Sequence, residues 1–265
     1  MNLKMNNSKT IDESMVRHMI LNSIRMYRME HHDEYGEVVL TWDSKHSWRR
    51  DYYPEYKASR RKGREESDLN WDEIFGTLNK IRNEIKENFP YKYLEVFGAE
   101  ADDIIGFLCD ENRDEKIIII SGDKDFIQLQ KYPNVKQWSP ITKKDVNGFN
   151  PTTYLKEHIL RGDTSDGVPN VLSPDNTFSD GLRQRPLSRK KIQSWLVGGG
   201  SDWNDEVKRN FQRNLTLIDL TKTPEELKNQ IRLEYNNAPH GDRSKLLNYF
   251  MIYKLKELTE NIGEF

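Results

Sequence analysis

The sequence predicts an α/β protein with a mainly parallel central sheet flanked by helices, followed by a helical C-terminal region. Three observations lead there. Short apolar runs that read as buried strands alternate with apolar stripes at helical spacing over roughly the first 150 residues. Beyond that point strands become scarce. Acidic residues gather where strands end and helices begin, the positions at which open α/β sheets carry their sites.

The elements follow in order. Residues 14–29 form a helix on Val16, Ile20, Ile24 and Tyr27, with Ser14 as its N-cap. Val38 to Trp42 is a strand. Residues 44–68 are basic and aromatic with few core positions, and 71–88 are helical on the stripe Ile74, Leu78, Ile81, Ile85. Tyr93 to Phe97 is a short strand, Ala101 to Cys109 a helix, Lys116 to Ile120 a strand and Val135 to Trp138 another. Pro169, Pro174 and Gly181 punctuate one long loop, and Gly198-Gly199-Gly200 marks a turn. The expected division is an α/β part over 1–150 and a helical part over 151–265.

Of 265 residues, 32% are charged and 35% hydrophobic, enough to bury a core. The single cysteine, Cys109, excludes a disulfide framework and reads as a small core residue. With no secretory or membrane-spanning run, the reading is a soluble cytoplasmic protein. The net charge of -2 conceals an asymmetry. Lys45 to Arg64 holds eight Lys/Arg against two Asp/Glu, and Arg183 to Lys191 holds five Lys/Arg and no acid. Glu95 to Asp125 holds ten Asp/Glu against three Lys/Arg. Basic arms around an acidic centre suit a polyanion held against a metal site; solvated charged faces are the plainer alternative.

Eight carboxylates carry the chemistry: Asp43, Glu100, Asp102, Asp103, Asp123, Asp125, Asp163 and Asp166. Oxygen-only ligands suit magnesium or manganese, and a paired-ion site suits phosphodiester hydrolysis. Each cluster also has a structural reading. Asp123 and Asp125 can be a turn acid and a helix N-cap, the Glu100 run can answer a helix dipole, and Asp163 and Asp166 can cap a turn. Tyr52, Tyr53 and Tyr56 lie among cations and can stack on bases or pack a helix. His31 and His32 read as surface residues, and no zinc site is indicated.

Several stretches resemble the 5′-nuclease (flap endonuclease) superfamily. Gly162-Asp163-Thr164-Ser165-Asp166-Gly167-Val168-Pro169-Asn170-Val171 is similar to its GDxxDNxPGV stretch. Glu100-Ala101-Asp102-Asp103 matches its EADD, and Ser121-Gly122-Asp123-Lys124-Asp125-Phe126 its S/T-x-D-x-D-F/L. Tyr56-Lys57-Ala58-Ser59-Arg60 resembles the YKAxR of its arch helix. The likeness runs from about Met15 to Phe265 and is strongest toward a ribonuclease H branch of T-even-type bacteriophages.

The resemblance implies a PIN-like 5′-nuclease core with an arch over 44–68. It also implies a C-terminal DNA-binding region containing a helix–three-turn–helix. Two Mg2+ ions are implied, with Mn2+ able to substitute. Asp43, Glu100, Asp102, Asp103 and Asp123 would surround the first, and Asp125, Asp163 and Asp166 the second. Lys57 and Arg60 would contact the reacting phosphate. Arg49, Arg50, Arg61, Lys62, Arg64, Gly167, Val168, Arg183, Arg185, Arg189, Lys190 and Lys191 would hold nucleic acid.

The implied activity is 5′→3′ exonuclease and flap endonuclease with ribonuclease H activity. It would remove RNA primers and adjacent DNA from lagging-strand fragments in phage replication. The substrates would be RNA–DNA hybrid and flapped or forked duplex DNA. The protein would act as a monomer in the cytoplasm of an infected host, with single-stranded-DNA-binding protein and sliding clamp as partners. Leu246, Leu247, Tyr249 and Phe250 offer either a docking surface or core. The family begins with a core strand bearing a metal-binding aspartate. Residues 1–13 hold Asp12 but no apolar run, so a truncated start and a weakened first metal site are expected. The alternative reading is a catalytically weak or inactive binder of forked DNA.

Overall fold

Asp12, not Ser14, begins the first helix: its side chain accepts from the Met15 N–H and the helix α1 runs Glu13–Tyr35. The structure, a computed structural model, describes residues 11–265, with the side chains of Arg61 and Lys62 outside the description. The expectation about a missing first strand concerns residues that lie largely outside those described.

The remaining elements are β1 Val39–Thr41, α2 Trp48–Tyr52, α3 Ser59–Glu65, α4 Trp71–Asn88, β2 Lys92–Leu94, α5 Ala101–Glu111, β3 Ile117–Ile120, β4 Val135–Ser139 and β5 Lys144–Asp145. Helices α6 Pro151–Arg161, α7 Arg189–Gly198, α8 Asp205–Ile218, α9 Glu225–Asn237, α10 Leu246–Ile252 and α11 Lys256–Glu260 complete the chain. The class is α/β and mostly helical. The described strands form two small sheets: β1 with β2, and β3-β4-β5. β3 and β4 pair in parallel from Ile117–Val135 to Ile120–Trp138, and β5 pairs antiparallel to β4.

Two compact units divide the chain. One comprises the residues up to 40, 64–94 and 235–265; the other comprises 41–63 and 95–234. The first buries Val16, Leu21, Ile81, Ile85, Phe89, Leu246, Tyr249, Phe250 and Phe265 together. Inside it Arg17 meets Glu84 through two hydrogen bonds of 2.7 and 2.9 Å, and the Tyr249 and Tyr253 hydroxyls donate to the same carboxylate at 2.8 Å. Leu246, Tyr249 and Phe250 are therefore core, while Leu247 is exposed.

The second unit carries the acidic clusters. Its core groups Cys109, Ile119, Phe126, Leu129 and Val135 around β3, and Tyr53, Tyr56, Ile159, Val168 and Leu217 around α6 and α8. Loop 43–48 is zipped to loop 96–101. Ser44 N–H donates to the Ala99 carbonyl at 3.1 Å, and Trp48 N–H to the Gly98 carbonyl at 2.9 Å. That zip sets Asp43 against the start of α5, where its Oδ1 accepts the Ala101 N–H at 2.8 Å.

Candidate active site

The start of α5 sorts its three acids into different tasks. Glu100 is the N-cap, in a capping box with Asp103. Asp103 is fully buried. It accepts Arg49 Nη1 and Nη2 at 2.8 Å each, Trp48 Nε1 at 3.1 Å, Thr223 Oγ1 at 2.7 Å and the Glu100 N–H at 2.9 Å. In the structure both Asp103 oxygens are therefore engaged within the fold. Arg49 is buried with it, and the guanidinium and carboxylate satisfy one another. Asp102 is only half-buried, yet burial together with Asp123 and Asp125 pushes its carboxyl up to about 8.

Past β3, Asp123 caps a 3₁₀ helix over Lys124–Lys131 by accepting the Asp125 N–H at 3.0 Å. Capping takes up Oδ1 of this acid. Asp125, His158 and Asp163 come together with their donor atoms all within 4.8 Å. They line an open cavity of about 360 Å³ with Gly122, Asp123, Lys124, Tyr154 and Ser165. Burial pushes the Asp125 carboxyl up to about 7, aided by Asp163 and Asp123 and opposed by His158. Burial works against charge on His158, but Asp163 and Asp125 outweigh it and raise its pKa. Burial would also raise Asp163, yet the facing His158 imidazole and the hydrogen bonds from Ser165 hold it well below the usual carboxylate range.

The turn after α6 explains the Gly-Asp-x-x-Asp-Gly spacing. Gly162 has φ +70°, and a Cβ there would lie 2.3 Å from the Val168 carbonyl oxygen. Asp163 Oδ1 accepts the Ser165 N–H at 2.7 Å and the Asp166 N–H at 3.3 Å, while its carbonyl accepts the Val168 N–H at 2.7 Å. Gly167 and Val168 are buried, and their N–H groups donate to Thr164 and Asp163 carbonyls. These two residues shape the turn from inside.

Tyr56 and Lys57 join this turn to α5. The Tyr56 hydroxyl lies 2.8 Å from Glu100 Oε2 and 2.7 Å from Asp166 Oδ2. Lys57, in the left-handed region at φ +57°, donates its N–H to the Asp166 carbonyl and its Nζ to Glu100 Oε1 at 2.7 Å. Arg60 Nη2 reaches Asp166 Oδ1 at 2.6 Å. Burial raises the Asp166 pKa, opposed by Lys57 and Tyr56. Tyr53 and Tyr56 pack inside, whereas Tyr52 is exposed.

Of the remaining predicted cations, Arg50, Arg183, Arg185, Arg189, Lys190 and Lys191 are exposed in this unit, with Arg185 paired to Glu206 at 2.9 Å. Arg64 is exposed in the other unit, 5.8 Å above the Phe75 ring. The Arg61 and Lys62 side chains lie outside the described residues.

The donor chemistry fits hard divalent cations. The acids are oxygen donors, and two of them, Asp102 and Asp125, have raised pKa values because burial disfavours their charge and neighbouring acids add to it. Sequence reasoning missed His158. It lies on α6 five positions before Asp163, and a lone histidine in a helix carries no spacing signal.

Comparison with known proteins agrees with this architecture. The 5′-3′ exonuclease N-terminal resolvase-like domain matches residues 1–158, and the domain described as T4 RNase H, C terminal, matches 151–265. Ribonuclease H of Enterobacteria phage T4 is 36% identical over 96% of this chain and 88% of its own. A 5′-3′ exonuclease of Buchnera aphidicola is 27% identical over 75% of this chain and 72% of its own. The fold is also that of a bacteriophage T5 flap endonuclease solved with DNA and metal ions. That match has a TM-score of 0.61 at 18% identity, over 88% of this chain and 93% of the other.

The matched family models and relatives define a nuclease, and its acidic centre has the donors to hold a divalent metal ion. The chain belongs to the 5′-3′ exonuclease family, with a C-terminal region of the T4 ribonuclease H type.

Proposed function

We propose that this chain is a magnesium-dependent 5′→3′ exonuclease and flap endonuclease with ribonuclease H activity. In this reading it removes RNA primers and adjacent DNA from lagging-strand fragments during phage replication, in the cytoplasm of the infected bacterium. The observation that carries the reading is the gathering of Asp125 and Asp163 at one open cavity with Asp123 on its wall, while burial, aided by Asp123 and Asp125, raises the pKa of Asp102.

Asp43, Glu100, Asp102 and Asp123 are the proposed holders of one cation, and Asp125, Asp163 and Asp166 of the other. Bound Mg2+, or Mn2+ in its place, supplies a Lewis acid and lowers the pKa of an attacking water. The chain's own residues do the rest. Lys57 and Arg60 offset charge on the phosphate, and Tyr56 holds Glu100 and Asp166 in register. Arg50, Arg61, Lys62 and Arg64 are proposed to steer the strand. Arg183, Arg185, Arg189, Lys190 and Lys191 are proposed to grip duplex phosphates. Residues 1–150 are proposed as the nuclease core and 151–265 as the helical DNA-binding region, which also lends Asp163 and Asp166 to the cation site. RNA–DNA hybrid and flapped DNA are the substrates, and single-stranded-DNA-binding protein and a sliding clamp the proposed partners.

The test is cleavage of a 5′-labelled flap and of an RNA–DNA hybrid, with Mg2+ and with chelator, beside Asp123→Asn. Mg2+-dependent cutting lost in the variant supports the reading. Tight binding without cutting rejects it in favour of a DNA-binding role.

A further inference from the structure

The geometry points to His158 as a nitrogen ligand of the cation held by Asp125 and Asp163, a donor that biases this site toward Mn2+ over Mg2+. The inference rests on the metal-dependent reading above and deepens it, since sequence spacing singles out only oxygen donors.

His158 faces both acids. Its Nδ1 stands 3.4 Å from Asp125 Oδ1 and its Nε2 3.5 Å from Asp163 Oδ2. Both separations exceed an ordinary N–H···O bond of about 2.7–3.2 Å. The Nε2 to Asp163 Oδ2 separation suits neighbouring ligands around one small cation, which at bond lengths of about 2.1 Å stand roughly 3–3.5 Å apart. Asp163 is already divided between two tasks. Its Oδ1 is consumed by the turn through Ser165 N–H, Ser165 Oγ and Asp166 N–H, leaving Oδ2 facing the imidazole.

The assignment is therefore specific. Nε2 and Asp163 Oδ2 would ligate together, with Nδ1 carrying the ring proton toward Asp125 Oδ1, 3.4 Å away, which would fix the tautomer in the manner usual for metal-bound histidine. The Tyr154 ring, 5.9 Å from the imidazole and nearly edge-on, restrains it from the preceding helical turn. Three protein donors, all with their ligand atoms within 4.8 Å, open onto the cavity where phosphate oxygens and water have room to complete the shell. Mg2+ prefers oxygen and retains its waters, whereas Mn2+ accepts imidazole more readily. The nitrogen therefore separates the two ions at this site and not at an all-carboxylate one.

The experiment uses the full chain without nucleic acid and reads binding, not turnover. Mn2+ alone and Mg2+ alone are titrated into wild type, His158→Ala, His158→Gln and Asp125→Asn, and the Mn2+ complex is studied by pulsed electron paramagnetic resonance. The wild type is expected to show nitrogen coupling that changes on labelling histidine with nitrogen-15, an observation that needs no variant. Both His158 variants should lose that coupling and bind Mn2+ about 10–100-fold more weakly. Their Mg2+ affinity should move far less, and Asp125→Asn should weaken both ions. Absence of nitrogen coupling in the wild type overturns the inference. So does Mn2+ binding that is unchanged or tighter in both variants, which would make the imidazole a placeholder that cations displace. Cleavage assays stand apart: a wild type that binds Mn2+ through nitrogen but cuts nothing rejects the nuclease reading and leaves this one standing.

Discussion

Arg49 and Asp103 form a bidentate ion pair in the interior of the acidic centre, with both guanidinium-to-carboxylate distances at 2.8 Å and neither side chain appreciably exposed. The pair also carries Trp48, Thr223 and the Leu217 carbonyl, so it ties α2, α5 and the end of α8 into one body. An acid of the family motif thus serves as the internal anchor on which its neighbours are displayed.

Removing one partner of this pair strands the other in the core. Asp103→Ala is expected to cost about 3–5 kcal/mol of stability, read from urea unfolding. Asp123→Asn, at an exposed position, should leave the unfolding midpoint nearly unchanged while abolishing cleavage. Equal stability losses in the two variants would contradict this division of labour.

The proton held by Asp102 makes stability of the chelated protein depend on pH. Its carboxyl titrates at about 8 in the folded chain, against about 3.9 when unfolded. The folded state therefore binds the extra proton between those values, and this contribution is lost as pH rises through about 8. The melting temperature in chelator should fall from pH 5 to pH 8. Asp102→Asn should flatten that slope, raise the melting temperature at pH 8 and reduce the stabilisation given by added Mg2+.

Gly162 sits where no side chain fits. Gly162→Ala combines a positive φ with a Cβ pressed on backbone at Val168 and Pro169. The turn must shift, displacing Asp163 and Asp166. Circular dichroism melts should show clear destabilisation, and divalent-cation affinity should fall. Gly148, whose Cβ would meet nothing within 4 Å, serves as the control for positive φ alone.

The exposed cations from Arg183 to Lys191 should act on affinity and little on chemistry. Changing Arg183, Lys190 and Lys191 to Gln is expected to weaken flap binding at low salt. It should also flatten the dependence of log affinity on log salt, by about one unit for each phosphate that is no longer neutralised. Single-turnover cleavage at saturating enzyme should stay close to wild type. A salt slope equal to wild type would place the duplex elsewhere.

Much of this molecule is determined by local sequence. The stripe of α4 and the isoleucine run of β3 define their own periods, while the exact start of α1 is not legible in the same way, since the sequence points to Ser14 as its cap and Asp12 caps it. The clustering of carboxylates at strand and helix ends identified the acidic centre because such placement is a local property too. Tertiary structure alone decided how each acid is used. Asp102 and Asp103 are adjacent in sequence, yet successive helical residues point about 100° apart. One therefore faces the other acids and the next meets Arg49 inside. Likewise His158 lies on a helix with no pattern to mark it, and only the fold of the turn after α6 brings Asp163 back to its Nε2 while the 3₁₀ helix brings Asp125 to its Nδ1. Periodicity fixes which side of an element a residue occupies; what stands opposite depends on residues distant in sequence, which no local pattern encodes.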